Sequence, residues 1–293
     1  MGWTFLSIVF FVIAAIALAV VRYTRPGYLL VYLFWRLRPD NWRRGRYIET
    51  NGVKIYFEVH GRGEPLVLLH GGGTLIDCFY AQLPAFSRHF RVIAIDSRGH
   101  GRSSHGLVPL TYSLMAADVL AILDHLGITC CHLVGWSDGG IVGLLLAIGH
   151  PERIGRLVTI GANFRPDGIK KEERDAARAT RDGNAHPLLR FLYAVFSPHP
   201  ERWPRLWSDL QLMWENLPDL TTADLAGVWA PTLILIGDHD IVSREHAEEM
   251  QTAIAGSELV VVAGASHSVL MERADKVNPL ILQFLGERPS SAG

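Results

Sequence analysis

Gly135-Trp136-Ser137-Asp138-Gly139 sits between two apolar stretches near the middle of the 293-residue chain. Before it, Cys131-His132-Leu133-Val134 is short and apolar, as a buried strand would be. After it, residues 140–148 form a longer apolar run ending near Pro151, which predicts a buried helix. A serine flanked at two positions on either side by glycine suits a turn so tight that a Cβ there would clash. Strand, G-x-S-x-G turn and helix together make a nucleophile elbow. An incidental serine in a glycine-rich turn is the plainer alternative, and the partners below count against it.

The rest of the chain continues the alternation. Residues 47–50 and 53–59 flank Asn51-Gly52, a strong hairpin signal. Residues 65–70, 91–96, 156–160, 231–236 and 258–262 are further apolar strands. Helices are predicted over 113–126 and 270–285. This gives an α/β fold: a mostly parallel sheet of eight strands, covered by helices on both faces. Residues 163–226 interrupt the pattern. They begin charged, at Lys170-Lys171-Glu172-Glu173-Arg174-Asp175, and turn aromatic, with Phe191, Tyr193, Phe196, Trp203, Trp207 and Trp214. They predict a helical insertion over the carboxyl ends of the strands, where ligands bind in open α/β sheets.

Lys and Arg total 28 against 29 Asp and Glu, so the net charge of −1 offers no global field for nucleic acid. Cys78, Cys130 and Cys131 include an adjacent pair and do not form a disulfide framework. Buried free thiols are the expectation.

The N-terminus differs in character. Residues 3–21 carry no charge and are nearly long enough, as a helix, to span a hydrocarbon core of about 30 Å. Arg22, Arg25, Arg36, Arg38, Arg43, Arg44 and Arg46 follow, with Tyr23, Tyr28, Tyr32, Trp35 and Trp42 among them as an interfacial belt would place them. The expectation is a single-pass transmembrane helix within an anchor segment of residues 1–45, with the rest of the chain, 46–293, on the cytoplasmic side. A signal peptide is the alternative, but Met1-Gly2-Trp3-Thr4 lacks its basic start. Residues 26–35, apolar but short, would lie along the interface or form a short re-entrant piece.

A serine hydroxyl needs a base, and the base needs an orienting carboxylate. Two strand ends supply candidates. Gly237-Asp238-His239-Asp240 follows one, and Gly264-Ala265-Ser266-His267 follows the other. His267 is the candidate base. Asp240 is the favoured carboxylate, because it lies further into its loop, while Asp238 is placed to brace the turn. His70-Gly71-Gly72-Gly73, after the strand at 65–70, has the HGGG pattern of an oxyanion loop. Its donor would be the amide of Gly72, or of Gly73, working with the amide of Asp138. Trp136 and Asp138 flank the nucleophile and are the candidate substrate-binding residues. The Asp138 side chain would pair with a substrate ammonium, or else point away and leave only its amide in use. Asp96-Ser97-Arg98-Gly99-His100-Gly101 reads as a structural turn holding an Asp96–Arg98 ion pair.

Across residues 46–286 these motifs resemble the α/β-hydrolase superfamily. Gly135-Trp136-Ser137-Asp138-Gly139-Gly140, with Gly161-Ala162-Asn163 after the next strand, is similar to the biphenyl-hydrolase-like (valacyclovir hydrolase) group and its enol-lactonase and esterase relatives. The resemblance implies a serine hydrolase with Ser137 as nucleophile, Asp240 as orienting acid and His267 as base, in the chain order of that fold. It implies no metal and no organic cofactor. The expected substrate is a small carboxylic ester or lactone. A lipid ester of the monoacylglycerol type and a non-catalytic binding protein are the alternatives.

Overall fold

The computed structural model describes residues 26–41, 45–180 and 187–286. Its centre is an eight-stranded sheet. In chain order the strands are β1 Gly45–Thr50, β2 Val53–His60, β3 Pro65–Leu69, β4 Arg91–Asp96, β5 Cys131–Trp136, β6 Ile154–Ile160, β7 Thr232–His239 and β8 Glu258–Ser266. In space the order is β1-β2-β4-β3-β5-β6-β7-β8. The β1–β2 and β2–β4 pairs are antiparallel, and all others are parallel. The first hairpin closes on Asn51-Gly52, with Thr50 opposite Val53 and φ of 48° and 73° at the two turn residues. Those positive angles match the right-handed twist of the strands.

The longer helices are α1 Pro26–Arg36, α2 Tyr112–His125, α3 Asp138–Gly149, α4 Lys171–Ala179, α5 Pro187–Phe196, α6 Trp203–Asn216, α7 Arg244–Ala253 and α8 Ala274–Phe284. Alternate residues of the central strands enter opposite layers of core. Val67 and Leu69 of β3 join one, with α2 and α3, while Leu66 and Leu68 join the other, with α8. Burial on both faces is why these strands are continuously apolar rather than alternating. Helices α4 to α6 all fall between β6 and β7, as the insertion requires.

Several local expectations need correction. The final helix is interrupted at Arg273, whose φ of −127° is not helical. A short turn, Val269–Glu272, precedes the break. There the Glu272 carboxylate accepts from the amide and hydroxyl of Ser266, at 2.7 and 2.8 Å, and ties that turn to the end of β8. Asp96 pairs with Arg102, not Arg98. Arg98 instead makes two hydrogen bonds to Asp118 of α2, at 2.6 and 2.7 Å. Cys130 is exposed rather than buried.

Residues 26–35 also differ from expectation. They lie in α1, which docks on the protein. Tyr32 and Trp35 are buried, Trp35 against the ring of His60. Arg36 pairs with Glu58 of β2 and with Asp77, and Tyr32 donates to Asp77. The opposite side of α1 exposes Leu30, Leu33 and Phe34, the last at 69%. The apolar stretch 3–21 lies outside the described residues. Among the described residues, no helix is long and apolar enough to cross a membrane.

Candidate active site

β5 ends at Trp136 and α3 begins at Asp138, leaving Ser137 alone in the turn. Ser137 has φ 53° and ψ −119°, a strained backbone for a residue with a side chain. Its neighbours force this shape. A Cβ on Gly135 would strike the Gly139 carbonyl, and one on Gly139 would strike the Leu69 carbonyl. The turn is fixed by hydrogen bonds from the Ser137 amide to Ile160 and from the Gly140 amide to the Ser137 carbonyl, both 2.8 Å.

Ser137 Oγ lies 3.0 Å from His267 Nε2. His267 Nδ1 lies 2.7 Å from Asp240 Oδ1. The structure thus brings Ser137, His267 and Asp240 from three strand ends into one hydrogen-bonded chain. Asp240 is buried, and burial alone would raise its pKa. The charge and hydrogen bond of His267, with the amides of Val242 and Gly237, outweigh that and hold it below the ordinary carboxylate range. Asp238 does something else: its carboxylate accepts from the amides of Gly264 and Ala265 at 2.9 and 3.0 Å, bracing β8. Trp136 is buried, and its indole N–H donates to the His267 carbonyl at 2.9 Å. Its ring lies against that of His267, 5.7 Å between centroids. The recess beside the elbow, too tight to hold a water, is lined by Gly71, Gly72, Ser97, His100, Met115 and Asp138 among others and not by Trp136.

The oxyanion-loop candidate crosses directly over the elbow. A Cβ on Gly71 would lie 3.1 Å from Ser137 Cβ. One on Gly72 would lie 2.5 Å from both Asp138 Oδ2 and Trp214 Cζ2. The root of the loop is fixed by His70. Its Nε2 accepts from the Ser97 amide at 3.0 Å, so its Nδ1 carries the proton and donates to the Gly71 carbonyl at 2.8 Å. Burial lowers the pKa of His70 to about 4, so the ring stays neutral.

Asp138 is buried too, and its carboxylate is occupied. Oδ1 accepts from the Tyr112 hydroxyl and from Trp214 Nε1, each at 2.9 Å, and Oδ2 accepts from Trp214 Nε1 at 3.1 Å. Burial pushes its pKa up to about 6. Neither Tyr112 nor Trp214 was singled out for the site by sequence, because their partner is 26 and 76 residues away. Gly161, directly after β6, belongs to a motif the sequence showed but was not assigned to the site there. Its φ is 58°, and a Cβ there would lie 2.8 Å from His267 Nδ1 and 3.1 Å from Asp240 Oδ2. A glycine directly after an apolar strand was the available signal.

The chain resembles known proteins in sequence and fold. The chain is 26% identical to a protein named putative carbamate hydrolase RutD of Azorhizobium caulinodans, over 82% of this chain and 98% of the relative. It is 30% identical to the AB hydrolase superfamily protein YisY of Bacillus subtilis, with the same two shares, 82% and 98%. The solved enol-lactonase of Burkholderia xenovorans superposes with a TM-score of 0.69 at 29% identity, covering 83% of this chain and all of that one. Residues 66–280 match the family described as the alpha/beta hydrolase family, and the chain belongs to it.

Proposed function

We propose that the protein is a serine hydrolase that cleaves a small carboxylic ester or lactone through an acyl-enzyme. The supporting observation is the Ser137–His267–Asp240 chain, with distances of 3.0 and 2.7 Å, on a strained elbow. Ser137 Oγ attacks the carbonyl carbon while His267 Nε2 takes its proton. Asp240 holds the ring with Nε2 facing the serine and stabilises the imidazolium. The amides of Gly72 and Asp138 receive the developing oxyanion. His267 then returns the proton to the leaving oxygen. Water, deprotonated by the same nitrogen, releases the acid and restores the hydroxyl.

The insertion bears on substrate size. A lipid ester would draw on free apolar surface there. Leu188, Phe191 and Val195 of α5 are exposed, but Tyr193, Trp203 and Trp207 are buried against one another in the insertion's own core, which supports the smaller ester. Asp138 beside the nucleophile keeps an amino-acid ester in view, but a substrate ammonium would have to share a carboxylate that already accepts three hydrogen bonds. A carbamate is the second reading, because the RutD relative carries that name and the same relay can attack a carbamate carbonyl.

Reaction class is tested with a fluorophosphonate probe and p-nitrophenyl acetate. The wild-type protein should label and turn over. Ser137→Ala should lose labelling, and kcat should fall by a factor on the order of 10⁴ or more. Persistent labelling in that variant would put the nucleophile elsewhere.

We further propose that residues 3–21 anchor the chain in a membrane, with the hydrolase on the cytoplasmic side. The uncharged run followed by arginines supports this, as does the exposed apolar side of α1 immediately after it.

A further inference from the structure

The indole of Trp214, on α6 of the insertion, reaches the nucleophile elbow. Three elements meet there. The Asp138 carboxylate starts α3, Tyr112 starts α2, and Gly72 is the oxyanion-loop candidate. Trp214 donates its N–H to the carboxylate, and its ring edge fills the space where a Gly72 side chain would be.

The indole is in turn held by the insertion's aromatic core. Trp207 packs edge-on to it at 5.7 Å between centroids, and Trp207 stacks on Trp203 at 5.5 Å. Trp207 also donates to the Thr180 carbonyl at 3.0 Å. The root of the glycine loop is fixed separately, by His70 and Thr74 on the Gly71 carbonyl. Its tip, at Gly72, contacts Asp138 and Trp214.

We propose that Trp214 is a positioning residue for the oxyanion site: with Asp138 it clamps Gly72 over Ser137, so that seating the insertion and assembling the oxyanion donors are one event. This rests on the assignment of Ser137 as nucleophile.

A wall and a clamp differ in kinetics. A residue that only walls the pocket acts on substrate and transition state alike and moves KM. A residue that aims an oxyanion donor acts on the transition state and moves kcat. The full chain is assayed with p-nitrophenyl acetate and with phenylboronic acid, whose tetrahedral serine adduct occupies the oxyanion site. Trp214→Phe keeps most of the ring and removes the N–H. It should lower kcat by about tenfold, with KM within about twofold, a loss of the size that small misplacements of catalytic groups produce. Boronate affinity should fall by the same factor. Tyr112→Phe, which leaves the insertion untouched, should give the same signature, and the double variant should lose less than the product of the two. Leu212→Ala, an exposed position on the same helix, should change nothing.

A rise in KM at constant kcat, or unaltered kinetics and boronate affinity in Trp214→Phe, would overturn the clamp while leaving Ser137 as nucleophile. Failure of the wild-type chain to label with fluorophosphonate would instead remove the nucleophile, and the clamp with it.

Discussion

Asp138 is ionised at a cost to the fold. Burial raises its pKa from 3.8 to about 6, so the folded chain binds that proton more tightly than the unfolded chain does. The sign follows directly. The penalty is absent below about pH 4, grows between pH 4 and 6, and is fully present above that. Asp138→Asn keeps the shape and an acceptor for Tyr112 and Trp214. It should stabilise the protein by up to about 3 kcal/mol at pH 7.5 and leave it unchanged at pH 4, a two-unit shift at 1.36 kcal/mol per unit. Urea unfolding at the two pH values measures this. Equal destabilisation at both would show that the charged hydrogen bonds outweigh the burial cost. Stability gained this way at an active site commonly lowers activity. At this scale the sequence was legible where the hydrogen-bonded side chains sit just past a strand. Ser137, Asp240 and His267 are each read that way, and Asp238 is distinguished from Asp240 by lying two residues nearer the start of its strand. Tyr112 and Trp214 were illegible because their role exists only across space.

The charged junction of α1 is an element-scale feature. Burial would raise the Glu58 pKa. His60 and Arg36, through hydrogen bonds and charge, outweigh it and bring it down to about 2 from 4.5. The folded state therefore gains stability that is present above about pH 4.5 and lost as pH falls toward 2. Arg36→Met removes one of the two partners of Glu58 while keeping the aliphatic stem. The midpoint of acid unfolding, followed by circular dichroism, should move to higher pH. Neutral stability should fall by about 2 kcal/mol, the scale of a hydrogen bond to a charged group. An unmoved acid midpoint would mean that His60 alone sets Glu58. Sequence set residues 26–35, apolar but short and lying among arginines and aromatics, along a lipid interface or in a re-entrant piece. The same composition serves here to lock a helix onto Glu58 and Asp77, residues far along the chain that no local pattern links to it. The break at Arg273 was hidden for a more local reason: Glu272, six residues on from Ser266, is drawn off to it.

For the whole molecule, the central sheet was readable because parallel strands buried on both faces must be continuously apolar. The antiparallel start was readable from Asn51-Gly52 alone. The insertion was visible as a break in that rhythm, but not its docking, which is set by contacts such as His105 with Asp209 at 2.9 Å. The proposed anchor belongs to this scale. The full chain should remain in the membrane pellet through alkaline carbonate extraction. In sealed host vesicles of inside-out orientation, added protease should digest the hydrolase. Release by carbonate would remove the anchor, and protection from protease would reverse its orientation.

The docking of α1 has a mechanical consequence if residues 3–21 lie in a bilayer. Residues 22–25 alone then separate the bilayer from a helix bolted to the enzyme. Fully stretched, four residues reach only about 14 Å. Such a leash is too short for the catalytic body to tumble. Arg36 sits beside Asp77, and Asp77 bonds Arg102, so the C-terminal end of α1 meets the loops that follow β3 and β4, at the end of the sheet that carries Ser137. The catalytic body would be held close to the lipid. Which esters it meets would then depend as much on what collects at that surface as on the shape of its pocket.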